Sequence, residues 1–191
     1  MPGEVAVSAA LQAALGAVAP LDAEERAALE VLKGFAARLE RPFARDQWPA
    51  HFTGSALVVS PATAQVCLVH HAKLGRWLQP GGHAESGDGG DLQATALREA
   101  REETGLEVRL APGAPWPFDV DAHHIPARKT EPEHQHLDVR ALLVTAAPQA
   151  LRYDPGESLG AKWLSFDEAL ALSDEHSLSR LLRKARAQLR L

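Results

Sequence analysis

The stretch that decides the fold is residues 81–106, which read GGHAESGDGGDLQATALREAREETGL. Asp91 stands just before a run of helix-forming residues, and an aspartate there can accept hydrogen bonds from the free N–H groups of the first helical turn. Gly105 supplies the left-handed residue that commonly ends a helix. The pattern therefore predicts a helix that begins after Asp91 and ends at Thr104.

The second half of this helix concentrates negative charge. Glu99, Glu102 and Glu103 share one face, because residues three and four positions apart are neighbours on a helix. Like charges at these spacings repel unless a cation neutralises them, and carboxylate oxygens suit a divalent ion. Helix geometry alone leaves two interpretations open: a metal-binding face, or a solvated acidic face relieved by Arg98 and Arg101.

The whole stretch resembles the Nudix box, in which a glycine and an acidic loop residue precede the pattern Arg-Glu-apolar-x-Glu-Glu-x-Gly-apolar. Residues 98–106 match that second half, and Gly82 matches the first glycine. The acidic loop position is Asp88, where the family has glutamate, and the segment from it to Arg98 is longer by two residues. Glycines on both sides of Asp88 favour a flexible loop that absorbs the extra length.

The resemblance implies an enzyme that cleaves a diphosphate linkage with Mg²⁺, or with Mn²⁺ in its place. The metal ligands that it implies are Glu99, Glu102, Glu103 and the backbone carbonyl of Gly82. It also assigns Glu99 a role as ligand or base, and Arg98 a role in orienting a neighbouring glutamate. The implied substrate is a phosphorylated small molecule, namely a nucleoside diphosphate linked to another moiety or a nucleoside triphosphate.

Two further carboxylates are candidates for catalysis. Asp88 is expected to act through water, because its side chain is shorter than glutamate and its glycine-rich loop is expected to be poorly fixed. Glu157 follows a Pro-Gly turn, and many members of the family carry a general base on a later loop. The alternative for Glu157 is an ordinary exposed loop acid.

The elements around the box follow from periodicity and turn residues. Two helices are predicted at about 5–18 and 23–40, and residues 41–53, with two prolines, are predicted to be a linker. Apolar and β-branched runs predict strands at 56–60, 65–70, 76–78, 107–110, 118–123, 137–145 and 161–164, followed by helices at 166–172 and 178–189. Strands around a central helix, with more helices outside, predict an α/β fold.

The fold class implied by the resemblance is a Nudix-type α/β/α sandwich with a mixed sheet and an N-terminal helical extension. We assign residues 1–45 to the extension and linker, and residues 46–191 to the Nudix hydrolase domain. The extension has no histidine and no cluster of acids that resembles a metal site. It is expected to support the domain or to form an oligomer contact, such as that of a homodimer.

Polar side chains alternate along two of the predicted strands. Such alternation places His123 on one face of its strand, and His134, His136 and Arg140 on one face of the next. These four residues are our candidates for substrate binding. A solvent-exposed polar face and a zinc site are the alternatives, because imidazole and carboxylate ligands alone do not establish a metal.

Two alternatives to this function are kept. Residues 115–118, PWPF, partly resemble the motif downstream of the box in Nudix NADH diphosphatases, although that group's zinc-binding cysteines are missing. NADH or another dinucleotide is therefore an alternative substrate. A catalytically impaired Nudix-like module that binds a ligand or regulates is the alternative from another class, motivated by Asp88 and the longer loop.

Charge and hydropathy narrow the range of binding partners that the chain can be expected to have. The chain of 191 residues has 25 acidic and 20 basic side chains, a formal net charge of −5, which is unlike the basic surface of a protein that binds duplex nucleic acid. No stretch approaches the roughly 20 apolar residues of a membrane span. Glu4 takes the place of the basic residues that begin a signal peptide. We expect a cytoplasmic protein that binds neither membranes nor duplex nucleic acid.

Overall fold

A computed structural model describes residues 2–128, 131–146, 148–153, 155–156 and 158–191, with side chains from residue 9 onward. The helices are α1 (Pro2–Gly16), α2 (Ala23–Ala36), α3 (Leu92–Thr104), α4 (Phe166–Leu172) and α5 (His176–Leu189). The strands are β1 (Ala50–Ser60), β2 (Gln65–His71), β3 (Arg76–Leu78), β4 (Gly81–His83), β5 (Arg109–Leu110), β6 (Asp119–Ile125), β7 (His134–Val144) and β8 (Ser158–Ser165). No helix among the described residues is long and apolar enough to cross a membrane.

The described strands form one mixed sheet. Strand β1 runs parallel to β7 and antiparallel to β2 and β4. Strand β7 also pairs with β5 and β6, and β2 pairs with β3 and β8, all antiparallel. The predicted mixed sheet is confirmed.

Helices cover both faces of the sheet. Successive residues of β1 point to opposite sides, so their packing partners identify the helix on each side. On one side, Ala56 and Val58 pack with Ala96 of α3. On the other side, Leu57 packs with Leu181 of α5. The predicted α/β/α sandwich is therefore confirmed.

The two N-terminal helices share a core with the sheet. Leu15 and Leu32 are fully buried in the same cluster as Phe52 of β1. Glu25 of α2 is also fully buried, and its carboxylate lies 2.5 Å from the Lys184 ammonium on α5. The segment thus supports the sheet physically, while the division at residue 45 stays a prediction.

One local prediction was wrong, and one strand was missed. Residues 50–53, assigned to a linker, form the buried start of β1. The first half of this strand carries His51 and Thr53. Because both residues are polar, the sequence shows no apolar run there, although both side chains are buried. Strand β4 was not predicted at all, because its three residues include two glycines and offer no apolar alternation.

Candidate active site

Helix α3 begins and ends where its capping residues predict. The Asp91 side chain accepts a hydrogen bond from the Gln93 backbone N–H, and Gly105 ends the helix in the left-handed conformation, with φ of 68°. Buried Ala96 and Ala100 turn inward, so the acidic face is left to meet the edge of the sheet at β4.

The acidic face of α3 meets the backbone of β4 very closely. A Cβ atom built on Gly82 would lie 2.5 Å from Glu99 Oε1, so only glycine fits without displacing that carboxylate. Glu103 Oε2 accepts a hydrogen bond of 3.1 Å from the Gly81 backbone N–H. Two carboxylates are therefore held against the glycine pair of β4.

Arg98 connects the carboxylates to one another. Its Nη1 donates to Glu99 Oε1 and to Glu102 Oε2, each at 2.9 Å. Its Nη2 donates to the backbone carbonyl of His83 at 2.8 Å. The hydrogen bond to Asp88 and the nearby glutamates raise the pKa of Arg98 above its ordinary value, so the positive charge is permanent.

Asp88 is a buried partner of Arg98. The two Asp88 oxygens accept from Arg98 Nε and Nη2, each at 2.9 Å. Asp88 Oδ2 also accepts from the Thr95 hydroxyl and from the Glu85 backbone N–H, each at 2.9 Å. The hydrogen bonds from Arg98 lower the pKa of Asp88 to about 2.

The box loop is ordered by these contacts. Residues 86–88 form a 3₁₀ turn with a reciprocal capping arrangement between Glu85 and Asp88. The expectation of a poorly fixed loop was wrong, because the ion pair between Arg98 and the buried Asp88 outweighs the freedom of the flanking glycines.

The structure brings most of the predicted site residues together: Gly82, Asp88, Arg98, Glu99, Glu102 and Glu103. Glu157 lies outside the described residues, so its catalytic role stays a prediction. The remaining candidates lie on β6 and β7. His123 is partly exposed, with 44% of its side chain accessible, whereas His134 is buried.

Arg140 lies inside the protein, surrounded by carboxylates. Its Nε lies 2.8 Å from Asp138, and its Nη1 and Nη2 lie 3.3 and 3.2 Å from Asp119 and Asp121. Burial opposes the charge, but these three aspartates raise the pKa of Arg140 above its ordinary value. Substrate binding by Arg140 stays a prediction, and its observed contacts are within the protein.

Sequence reasoning missed two residues that meet beside this site. His51 of β1 and His83 of β4 approach each other with 3.1 Å between their Nε2 atoms, and His136 of β7 lies beside them. We call these three residues the histidine cluster. The available signals were the position of His51 two residues before Thr53, and the position of His83 directly after the glycine pair of β4. Neither signal is specific by itself.

Comparisons with known proteins agree with this fold. Residues 51–185 match the family model described as NUDIX domain. One similar solved structure is a Caenorhabditis elegans Ap4A hydrolase binary complex, with 19% identity, a TM-score of 0.58, and coverage of 73% of this chain and 97% of that one. Another is a NUDIX-family hydrolase from Clostridium perfringens, with 26% identity, a TM-score of 0.54, and coverage of 73% and 96%.

A third similar structure is the Escherichia coli dihydroneopterin triphosphate pyrophosphohydrolase, with 16% identity and a TM-score of 0.53. The matched region covers 70% of this chain and 92% of the Escherichia coli protein. A search among curated proteins found no match.

Proposed function

This chain belongs to the Nudix family of hydrolases, and from that premise we propose that it cleaves a diphosphate linkage with Mg²⁺, or with Mn²⁺ in its place. The proposed substrate is a nucleoside diphosphate linked to another moiety, or a nucleoside triphosphate. The observation that carries the proposal is the placement of Arg98: one guanidinium nitrogen contacts both Glu99 and Glu102. Such an arrangement holds carboxylates at fixed positions despite their mutual repulsion.

The donor set suits a hard divalent cation. The carboxylates of Glu99, Glu102 and Glu103, with the Gly82 carbonyl, offer the oxygen ligands that Mg²⁺ prefers. The missing side chain of Gly82 leaves the room that the Glu99 carboxylate occupies. When bound, such an ion lowers the pKa of a coordinated water and neutralises charge on phosphoryl oxygens.

The protein's own groups have separate tasks in this proposal. Arg98 fixes the positions of Glu99 and Glu102, and Asp88 fixes Arg98, so Arg98 and Asp88 act as positioning residues. Glu99 serves as a metal ligand or as a base, as does Glu157 on its later loop. Preorganised charges of this kind act where charge develops on the substrate, with no reorganisation during the reaction.

Substrate recognition is proposed for the polar strands beside the site. His123, whose side chain is partly exposed, is the first candidate for contact with the substrate. His134, His136 and Arg140 stay candidates for substrate binding, and the buried His134 and Arg140 are proposed to support the exposed part of the site from within. Two structural neighbours are named for Ap4A and for dihydroneopterin triphosphate, which supports a substrate with a phosphate chain on a nucleoside-like group.

A substrate panel tests this function. The purified full-length protein is incubated, with and without Mg²⁺, with a nucleoside triphosphate, a nucleoside diphosphate sugar, a dinucleoside polyphosphate and NADH, and products are separated by ion exchange. We expect Mg²⁺-dependent cleavage between phosphates in at least one substrate. Binding of these compounds without cleavage of any would favour the catalytically impaired module instead.

A further inference from the structure

The histidine cluster lies on the side of β4 away from the glutamates. Gly82 faces Glu99 on α3, and the next residue, His83, points to the opposite side of the strand, where its ring contacts His51. The strand register explains the meeting, because His51 is paired with His136 across β1 and β7. One ring nitrogen from each residue of the histidine cluster lies within 4.8 Å of the other two.

The spacing of the ring nitrogens suits a metal ion. Four-coordinate zinc binds imidazole nitrogen at about 2.0–2.1 Å, which places two ligand nitrogens about 3.3 Å apart at tetrahedral angles. The Nε2 atoms of His51 and His83 are 3.1 Å apart, close to that value. The ligand nitrogen of His136 lies within 4.8 Å of those of His51 and His83, so a bound ion would draw it closer to both.

A backbone carbonyl and a neighbouring ring hold His51 in a ligand-like orientation. His51 Nδ1 lies 3.4 Å from the Gln47 carbonyl, and a proton on Nδ1 leaves the Nε2 lone pair directed at the cluster. His134 stacks on His51, with ring centroids 5.0 Å apart, and its own Nδ1 lies 2.8 Å from the Pro132 carbonyl. Metal-binding histidines characteristically donate their second N–H to a carbonyl or carboxylate.

Partial burial of the rings disfavours a charge on them, and the neutral imidazole is the form that binds metal.

We propose that His51, His83 and His136 bind one divalent first-row transition ion of the zinc class, distinct from the Mg²⁺ of the glutamate face. Imidazole ligands favour such ions over Mg²⁺. Three protein ligands leave a fourth position for water or another small ligand.

A bound ion would join three strands that are far apart in the sequence. It would hold β4 through the ring of His83. The backbone carbonyl of the same residue already accepts a hydrogen bond of 2.8 Å from Arg98. Since β4 is only three residues long, this added connection is expected to stabilise the strand that carries Gly82.

Metal titration tests the proposal without reference to hydrolysis. Full-length protein stripped with a chelator is titrated with Zn²⁺ by calorimetry in the presence of excess Mg²⁺, and with Co²⁺ by visible spectroscopy. We expect one Zn²⁺ per chain and the intense visible bands of four-coordinate Co²⁺. His83→Gln and His136→Gln, each verified as folded by circular dichroism, should weaken Zn²⁺ binding at least about 100-fold.

Two control variants identify the site. His124→Gln changes an exposed histidine of β6 outside the histidine cluster, and Glu102→Gln changes the glutamate face; both should retain the Zn²⁺ affinity of the wild type. The proposal is overturned if the wild type binds no Zn²⁺, if both cluster variants bind it as tightly as the wild type, or if Glu102→Gln abolishes binding. Absence of Zn²⁺ binding by the wild type overturns the proposal even where a variant fails to fold.

Discussion

Arg98 and Asp88 form a two-pronged ion pair, with Nε and Nη2 each 2.9 Å from a different carboxylate oxygen. The remaining guanidinium nitrogen, Nη1, is left for Glu99 and Glu102. The aspartate at the divergent position of the box is thus joined to the glutamates through Arg98. This relationship makes Asp88 a positioning residue whose effect on catalysis is indirect.

Replacement of Asp88 should therefore cost less activity than replacement of a glutamate ligand. Asp88→Asn keeps one oxygen acceptor for Arg98 but loses the charge, and we expect kcat to fall about 10-fold, as is typical for residues that support metal ligands. Steady-state kinetics at saturating Mg²⁺ measures this. Asp91→Asn is the matched control, because asparagine caps a helix as well as aspartate. A loss as large as that of Glu102→Gln would show that Asp88 acts directly.

The same pair should make stability depend on pH. The hydrogen bonds from Arg98 lower the pKa of Asp88 from 3.8 to about 2, so its ionised form stabilises the fold above about pH 4. That contribution is lost as the pH falls through about 2. Urea unfolding across this range should show the wild type losing its advantage over Asp88→Asn. An advantage that stays constant down to pH 2 would contradict the assignment.

Adding one methyl group to the glycine pair should impair catalysis without unfolding the protein. Gly82→Ala places its Cβ 2.5 Å from Glu99 Oε1, and the flexible carboxylate must move away. We expect turnover to fall about 100-fold, as misplacement of this size can cause, with little change in thermal melting. In Gly87→Ala the new Cβ has no neighbour within 4 Å, so activity should be preserved. Equal activities of the two variants would refute the close contact.

The buried ion pairs of Asp119 with Arg180 and Lys184 should contribute strongly to the stability of the fold. Asp119 is fully buried, and its carboxylate lies 3.0 Å from Arg180 and 3.1 Å from Lys184. Asp119→Asn removes one carboxylate charge from a buried group of cations, which should cost about 3–5 kcal/mol in the free energy of unfolding. Asp167→Asn changes an exposed pair with Arg186 and should cost within about 0.5 kcal/mol. Chemical denaturation compares them, and similar costs would contradict the role of these buried ion pairs.

The sequence predicted α3 well because its limits are local: Asp91 and Gly105 act on the backbone next to them. The order of the Asp88 loop could not be predicted, because it depends on the Arg98 side chain reaching back along α3 to a residue ten positions earlier in the sequence. Composition showed the glycines but not the ion pair.

The histidine cluster was beyond sequence reasoning for a different reason. His51 and His136 become neighbours only through the parallel pairing of β1 with β7, and His83 joins them through a three-residue strand. His51 was assigned to a linker because the two prolines before it outweighed a strand pattern that is polar at its start. Long-range pairing, unlike helix capping, leaves no mark in the adjacent residues.

The Mg²⁺-dependent kcat of Glu102→Gln, on whichever substrate the panel identifies, tests the central claim most directly. Glu30→Gln, on an exposed position of α2, is the matched control and should retain wild-type turnover. Loss of a carboxylate ligand should lower kcat more than about 100-fold, with a melting temperature that is level or slightly higher without Mg²⁺, because like-charge repulsion on the helix is reduced. Near wild-type turnover by folded Glu102→Gln would contradict the assignment of the glutamate face as the catalytic metal site.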